Sequence, residues 1–204
     1  MTINRLIDGF KSFRTTYFEK QPEFYRNLVS EGQSPEVMVI ACSDSRVNPS
    51  IIASANPGEL FIVRNVANLV PPYEPDNTYH GTSAAIEFAV RDLNIKHIVI
   101  LGHTHCGGIR RLCEGGKDDN SREFIDGWMS IVRQATDEKI ESDDQLRHVE
   151  HKAVNISLDN LLSFPWVKTR VEAGELTLHG WLFDLERGEL RAYETSGEWE
   201  VIAG

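Results

Sequence analysis

The sequence contains few cysteines, which limits how the chain can be held together. Cys42, Cys106 and Cys113 are the three cysteines in 204 residues. An odd and low number does not describe a disulfide framework, and it favours a reducing compartment in which thiols pack or bind metal. We expect Cys113 to be a packed thiol, because it lies on a helical run.

Long apolar runs and basic blocks are also missing. Charged residues interrupt the apolar positions near Met1, so we expect no secretory signal, no membrane partner and a cytoplasmic location. The net charge of −10 argues against a nucleic-acid partner, because no basic block offsets it. An acidic run at 137–144 predicts a solvated surface segment. We find no internal repeats and no low-complexity tract.

Three nearly continuous apolar runs predict the strands of a parallel sheet. They cover residues 36–41, 59–64 and 97–101, and a helix rich in small residues is expected between the last two, at 82–91. Alternation of such strands with helices is typical of a parallel sheet that is covered on both faces. We therefore predict the α/β class, with a central parallel β-sheet flanked by helices.

The two ends of the chain differ from this core. Apolar side chains at helical spacing over residues 3–29 predict an N-terminal helical arm in two pieces. The runs 176–185 and 189–194 flank Glu186-Arg187-Gly188 and predict a C-terminal β-hairpin. We expect one domain, residues 1–204, with an arm at 1–30, an α/β core at 33–175 and C-terminal strands at 176–204. Helices are expected in this core at 121–135, at 145–163 and from Pro165 onward.

Two short polar clusters follow the first and third strands. Cys42 and Asp44 end the first run, and His103 and Cys106 end the third. Parallel strands present their chemistry at their carboxyl ends, so the four side chains meet if these strands are neighbours. Two thiolates, an imidazole and a carboxylate are ligand types that zinc prefers. Soft thiolates select zinc over magnesium or calcium.

The pairing of Asp44 with Arg46 distinguishes a catalytic metal site from a structural one. Structural zinc sites are usually completed by cysteine or histidine. Arg46 can pair with the carboxylate of Asp44 and draw it away from the metal, which leaves a fourth position for water. Gly107 and Gly108 let the backbone approach that position. We therefore favour a catalytic site over a purely structural one.

The motifs in combination resemble those of the β-class carbonic anhydrases. The resemblance rests on Cys42-Ser43-Asp44-Ser45-Arg46-Val47, on Arg64-Asn65-Val66-Ala67-Asn68 and on Gly102-His103-Thr104-His105-Cys106-Gly107-Gly108. It runs from about Gly32 to Cys113 and resumes weakly at Leu178-His179-Gly180-Trp181. It implies reversible hydration of carbon dioxide to bicarbonate and a proton.

The resemblance also implies the roles of individual residues. Zinc is held by Cys42, His103 and Cys106, and hydroxide at its fourth position attacks the carbon of CO₂. Asp44 accepts a hydrogen bond from that hydroxide, and Arg46 keeps Asp44 ionised. Asp44 is the possible fourth ligand in a closed form. The implied substrate-binding positions are Gln33, Phe61, Val66, Phe88 and Gly107.

Departures from the family pattern indicate a subtype. The allosteric members carry a tryptophan where this chain has Val39, so we predict the open, plant-like, non-allosteric type. Plant-like members place a tyrosine where Phe88 stands and a histidine near Arg91, and these groups are implicated in proton transfer. His80 and His105 are the candidates that remain, because imidazole titrates near neutrality.

Two alternatives and one expectation about assembly stay open. A carbonyl sulfide or carbon disulfide hydrolase on the same scaffold would share the metal motif. A non-catalytic metal-binding protein would need neither Asp44 nor Arg46. The resemblance implies a homodimer or higher homo-oligomer, in which Gln33 and Phe61 serve the zinc of the neighbouring subunit.

Overall fold

A computed structural model describes residues 1–76, 78–114, 122–136, 142–194 and 196–204. These residues form two compact units, 1–34 and 35–204. The single-domain organisation expected from the sequence stays a prediction.

The first unit is built from helices and a cluster of aromatic rings. Helix α1 (Ile3–Arg14) begins after Thr2, whose side chain accepts a hydrogen bond from the Arg5 backbone N–H. A π-helical turn (Thr15–Glu19) and α2 (Pro22–Glu31) follow. This agrees with the two helical pieces that the spacing predicts. The side chains of Phe13, Tyr17, Phe18, Phe24 and Tyr25 contact one another.

The second unit contains a six-stranded mixed sheet. Its order is β2-β1-β3-β4-β5-β6. The first four strands are parallel to one another, β5 is antiparallel to β4, and β6 is antiparallel to β5. The strands are β1 (Val37–Cys42), β2 (Leu60–Asn65), β3 (His97–His103), β4 (Thr177–Phe183), β5 (Leu190–Tyr193) and β6 (Trp199–Ala203). Strands β4 and β5 are the two strands of the predicted hairpin, and β6 extends it beyond that prediction.

Helices flank the sheet as the α/β class requires. They are α3 (Pro49–Ile52), α4 (Gly81–Glu87), α5 (Gly107–Cys113), α6 (Ile125–Met129), α7 (Asp143–Ser163) and α8 (Pro165–Glu172). The helix predicted at 82–91 ends as a π-helical turn, Phe88–Asp92, and that predicted at 121–135 continues from α6 as a 3₁₀ turn, Ser130–Ala135. Residue 121 and residues 137–141 of the acidic run lie outside the described part of the chain.

Apolar side chains of the central strands alternate between two faces. Met38 and Ile40 belong to the cluster on one face, and Val39 and Ala41 belong to the cluster on the other. This explains why β1 is apolar at every position. On the first face α7 packs closely against β3. A Cβ on Gly102 would lie only 2.7 Å from Val154 Cγ2. The sheet that carries the loops at its carboxyl edge is therefore packed on both faces.

Candidate metal centre and active site

The sheet brings the two polar clusters together. Strands β1 and β3 are adjacent and parallel, with Ala41 opposite Leu101, so Cys42 and His103 leave the same edge. The ligand atoms of Cys42, His103 and Cys106 all lie within 4.8 Å of one another, and all three residues are buried. The condition set by the sequence, that these strands are neighbours, is met.

The donor atoms of this group fit a metal ion. His103 Nδ1 lies 2.9 Å from the Thr104 carbonyl oxygen, which can only accept, so Nδ1 carries the proton and Nε2 presents its lone pair. Within the described residues, Nε2 is buried and has no hydrogen-bond partner. Two sulfurs and one imidazole nitrogen form the donor set that zinc takes in catalytic sites.

The thiols of Cys42 and Cys106 lie close enough to compete for ionisation. Their sulfurs are 4.0 Å apart. The hydrogen bond with Cys106, aided by the nearby His103 ring and the Asp44 backbone N–H, lowers the pKa of Cys42. The same pairing, together with burial, raises the pKa of the Cys106 thiol. A divalent cation removes this competition, because it allows both sulfurs to be thiolates.

Arg46 holds both carboxylate oxygens of Asp44. Oδ1 accepts hydrogen bonds from the backbone N–H and the Nε of Arg46, both at 2.9 Å. Oδ2 accepts one from Nη2 at 2.7 Å. These bonds keep the pKa of Asp44 well below its usual range, although burial opposes them. The ionised carboxylate faces the metal group, with Oδ2 3.9 Å from His103 Nε2.

Glu150 is a buried carboxyl group that the sequence analysis missed. It lies on α7, and its Oε1 accepts a hydrogen bond from the Cys106 backbone N–H at 2.7 Å. Burial raises its pKa to about 7. In the sequence it is a single glutamate within a predicted helix, and such residues are usually solvated, so nothing there indicates a buried carboxyl group. Its contact with Cys106 spans 44 positions, which no local pattern reveals.

The loop between His103 and Cys106 has further supports. Thr104 is buried, and its hydroxyl oxygen accepts a hydrogen bond from the Leu185 backbone N–H at 2.9 Å. Arg46 Nη2 also donates to the His105 carbonyl at 3.0 Å. The hairpin turn and Arg46 thereby help to hold His103, at the end of β3, and Cys106, in the loop that follows.

Val66, Gly107 and Gly108 lie around the metal group. The Ala67 backbone N–H, next to Val66, donates to Cys42 Sγ at 3.3 Å. A Cβ on Gly108 would lie 2.8 Å from Val66 Cγ1, whereas a Cβ on Gly107 would meet no described atom within 4 Å. Gly108 thus permits a close approach, and the space at Gly107 is open. A cavity of about 720 Å³ beside Val66 is lined mainly by apolar side chains, among them Phe124 and Trp128.

Two other predicted substrate positions, Phe61 and Phe88, do not join this group within one chain. Phe61 pairs with Met38 in the sheet register, four residues before Cys42, which corresponds to roughly 13 Å along the strand. Its ring contacts the half-exposed ring of Phe88, with centroids 6.0 Å apart. Gln33 is exposed and belongs to the first compact unit. Their substrate roles stay predictions.

The two candidate proton carriers have acidic neighbours. His80 Nε2 lies 2.6 Å from Asp76 Oδ1. His105 Nε2 lies 3.2 Å from Glu186 Oε1, and its backbone is left-handed, with φ of 57°. Cys113 is buried and free, as expected for a packed thiol.

Similarity to known proteins agrees with this geometry. The family model described as carbonic anhydrase matches residues 37–190. Beta carbonic anhydrase 5, chloroplastic, of Arabidopsis thaliana is 41% identical over 177 residues, which are 84% of this chain and 58% of that protein. The chain therefore spans somewhat more than half the length of this relative.

Solved structures share the fold over nearly the whole chain. The β-carbonic anhydrase CcaA has a TM-score of 0.90 and 32% identity, over 99% of this chain and 92% of that one. One of two tetrameric β-carbonic anhydrases from Sordaria macrospora has a TM-score of 0.79 and 27% identity, over 97% and 98%. Among the described residues, no helix has the length and apolar character needed to span a membrane.

Proposed function

Since the chain belongs to the β-class carbonic anhydrases, we propose that it is a zinc enzyme that reversibly hydrates carbon dioxide to bicarbonate and a proton. One observation carries the proposal. Three buried metal-ligand side chains converge beside an aspartate whose carboxylate is held by arginine. A purely structural metal site has no use for the Asp44–Arg46 pair. The relatives named above are carbonic anhydrases, which does not favour the carbonyl sulfide or carbon disulfide alternative.

Cys42, His103 and Cys106 would hold the metal. When bound, zinc lowers the pKa of water to near neutrality and so supplies a nucleophile without a strong base. His103 would bind the metal through Nε2, because Nδ1 donates to the Thr104 carbonyl. Glu150 fixes the Cys106 backbone through its N–H. These residues define the position at which water is activated.

Asp44 orients the attacking water or hydroxide. Because the carboxylate is ionised, it acts only as a hydrogen-bond acceptor. Oδ1 already accepts two hydrogen bonds from Arg46 and Oδ2 accepts one, which leaves acceptor capacity on Oδ2. An O–H directed at Oδ2 turns a lone pair of the nucleophile toward the substrate carbon. Arg46 holds Asp44 in this orientation.

The surroundings of the site suit an uncharged linear substrate. Val66 provides an apolar wall, and the open space at Gly107 lets the substrate approach the backbone. A linear molecule without charge gains little from ionic contacts, so an apolar approach and a short path serve it best. We assign Val66 and Gly107 to substrate binding on this basis.

We further propose that the chain forms a homodimer or a higher homo-oligomer. Tetrameric structures from Sordaria macrospora have the same fold. An oligomer accounts for the positions of Phe61 and Phe88 away from the metal group of their own chain. In the assembly, these rings and Gln33 would complete the substrate site of the neighbouring subunit.

Stopped-flow CO₂ hydration, with metal content measured on the same sample, tests the function. We expect about one zinc per chain and hydration well above the uncatalysed rate, with loss of activity after a chelator removes the metal. Asp44→Ala should keep the metal and lose about a hundredfold in kcat, because the nucleophile is no longer oriented.

Asp126→Ala is the matched control for this experiment. Asp126 also pairs with an arginine, since its Oδ1 accepts from Arg111 Nη2 at 2.7 Å, but it does not belong to the metal group. Its loss should leave kcat within about twofold of the native value. Native protein that holds one zinc per chain and shows no hydration above background would refute the proposal.

A further inference from the structure

We propose that Arg64 is a positioning residue, which fixes the backbone of the loop that carries Cys42 and Asp44. This inference rests on the part of the proposed function in which Cys42, His103 and Cys106 hold zinc. It does not depend on the hydration of carbon dioxide.

Arg64 binds three carbonyl groups of one loop. Its Nε donates to the Cys42 carbonyl at 3.0 Å. Its Nη2 donates to the carbonyls of Asp44 at 2.7 Å and Val47 at 2.6 Å. Cys42 is the last residue of β1, and Asp44 and Val47 lie between β1 and α3, where the Asp44 carbonyl also accepts a hydrogen bond from the Val47 backbone N–H at 3.0 Å. One side chain on β2 thus ties together both ends and the middle of the loop.

A guanidinium group is suited to this task. The three carbonyl oxygens face one small region, where their partial negative charges repel one another. The planar fork of arginine offers several N–H donors and a permanent positive charge. A lysine ammonium group is a compact point charge, and it cannot span the same three acceptors as well. We therefore expect lysine at position 64 to restore the charge and only part of the geometry.

The two arginines at this loop act on different parts of Asp44. Arg46 binds its carboxylate, and Arg64 binds its backbone carbonyl. The same Arg64 side chain binds the Cys42 carbonyl, so a metal ligand and the orienting carboxylate share one support. If Arg64 is removed, Cys42 Sγ and the Asp44 backbone can shift even though the Asp44–Arg46 pair persists.

Arg170 provides a matched control on the same chain. It also donates to backbone carbonyls, those of Val90 at 2.9 Å and Glu175 at 3.3 Å. Neither carbonyl belongs to a loop that carries a metal ligand. Arg170→Ala therefore measures the general cost of losing an arginine that caps carbonyls, and Arg64→Ala measures that cost together with any effect on the metal site.

The experiment compares native protein with Arg64→Ala, Arg64→Lys and Arg170→Ala. Zinc affinity is measured by competition with a chelator, the geometry of the site by the absorption spectrum of the cobalt(II)-substituted protein, and folding by the unfolding midpoint in urea. We expect Arg64→Ala to lose about 10- to 100-fold in zinc affinity, the range for groups that orient metal ligands. Its cobalt spectrum should change. The zinc affinity and the cobalt spectrum of Arg64→Lys should lie between those of Arg64→Ala and those of native protein.

Arg170→Ala should keep its zinc affinity within twofold and its cobalt spectrum unchanged. The inference is overturned if Arg64→Ala binds zinc with native affinity and gives a native cobalt spectrum. If Arg64→Ala does not fold, Arg64→Lys decides, and native affinity and spectrum there have the same meaning. Failure of the proposed hydration gives a different result, because native protein would then bind zinc without hydrating CO₂. The comparison of zinc affinities would still test the role of Arg64.

Discussion

At the scale of single residues, the metal group depends on buried polar atoms that lie far apart in the sequence. Cys42, His103 and Cys106 were predictable because their residue types are zinc ligands and because each follows an apolar strand. Glu150 was not predictable in the same way. Its role arises because α7 carries its carboxyl group to the Cys106 backbone, and a helical pattern does not show which polar residue is buried.

Replacement of Glu150 tests its contribution to the fold around Cys106. Glu150→Ala leaves the buried Cys106 N–H without its acceptor and creates a cavity, so we expect a loss of roughly 2–4 kcal/mol in the free energy of unfolding. Glu150→Gln keeps an acceptor oxygen and should stay within about 1 kcal/mol of native protein. Urea unfolding of the zinc-loaded proteins measures both. Equal losses in the two variants would show that the hydrogen bond to Cys106 is not the cause.

At the scale of elements, the periodicity of apolar residues predicted most helices and strands. β1, β2 and β3 follow from apolar runs, and the β4–β5 hairpin follows from the turn at Glu186-Arg187-Gly188. Strand β6 did not follow, because its five residues (Trp199–Ala203) gain their structure by pairing with β5. The π-helical turn after α4 likewise depends on packing that no spacing encodes.

The contact between α7 and β6 predicts a pH-dependent stability. The His151 ring stacks on Trp199 with centroids 4.4 Å apart. Burial, with the nearby Arg191 charge, lowers the pKa of His151 from 6.5 to about 4. Between these values the unfolded chain binds more protons than the folded one, so this contribution to stability is present above pH 6.5 and is lost as the pH falls toward 4.

His151→Phe isolates this effect, because phenylalanine can stack on Trp199 without titrating. We expect the stability of native protein relative to this variant to fall by on the order of 1–2 kcal/mol between pH 6.5 and pH 4. His148→Phe, on the exposed side of α7, is the control, and it should change this pH dependence much less, because the charge of His148 lowers the pKa of His151 less than burial does. Urea unfolding at several pH values gives the difference in stability between native protein and His151→Phe. Both proteins contain Glu150, so its opposing contribution cancels in this difference. A constant difference between native protein and His151→Phe would contradict the assignment.

At the scale of the whole molecule, the exposed surface of the N-terminal helix bears on assembly. The N-terminal helix α1 exposes Ile3, Leu6, Ile7 and Phe10 by 51–71%, at the spacing of one helix face. Such a face in water favours burial against another surface. The cytoplasmic location expected from the sequence stays a prediction.

Light scattering coupled to size-exclusion chromatography tests the proposed oligomer. We expect a mass of at least twice the 23.1 kDa of the chain, and activity that falls when the assembly is dissociated by dilution. Leu6→Glu together with Phe10→Glu places charge on the exposed face of α1 and should weaken the assembly if that face is buried in it. A fully active monomer would contradict the proposed completion of each site by its neighbour.

The sequence by itself determined which side chains are available to form the metal group. Ligand types, their position after apolar strands, and the Asp44–Arg46 spacing are local features, and local features are written directly in the order of residues. Tertiary structure alone decided that β1 and β3 are neighbours, that Glu150 reaches Cys106, and that Arg64 binds three carbonyls of one loop. The hydrogen bonds of Arg64 and Glu150 join residues that are 17 to 44 positions apart in the sequence. Only the packing of strands and helices around a common core brings such distant groups within hydrogen-bond distance.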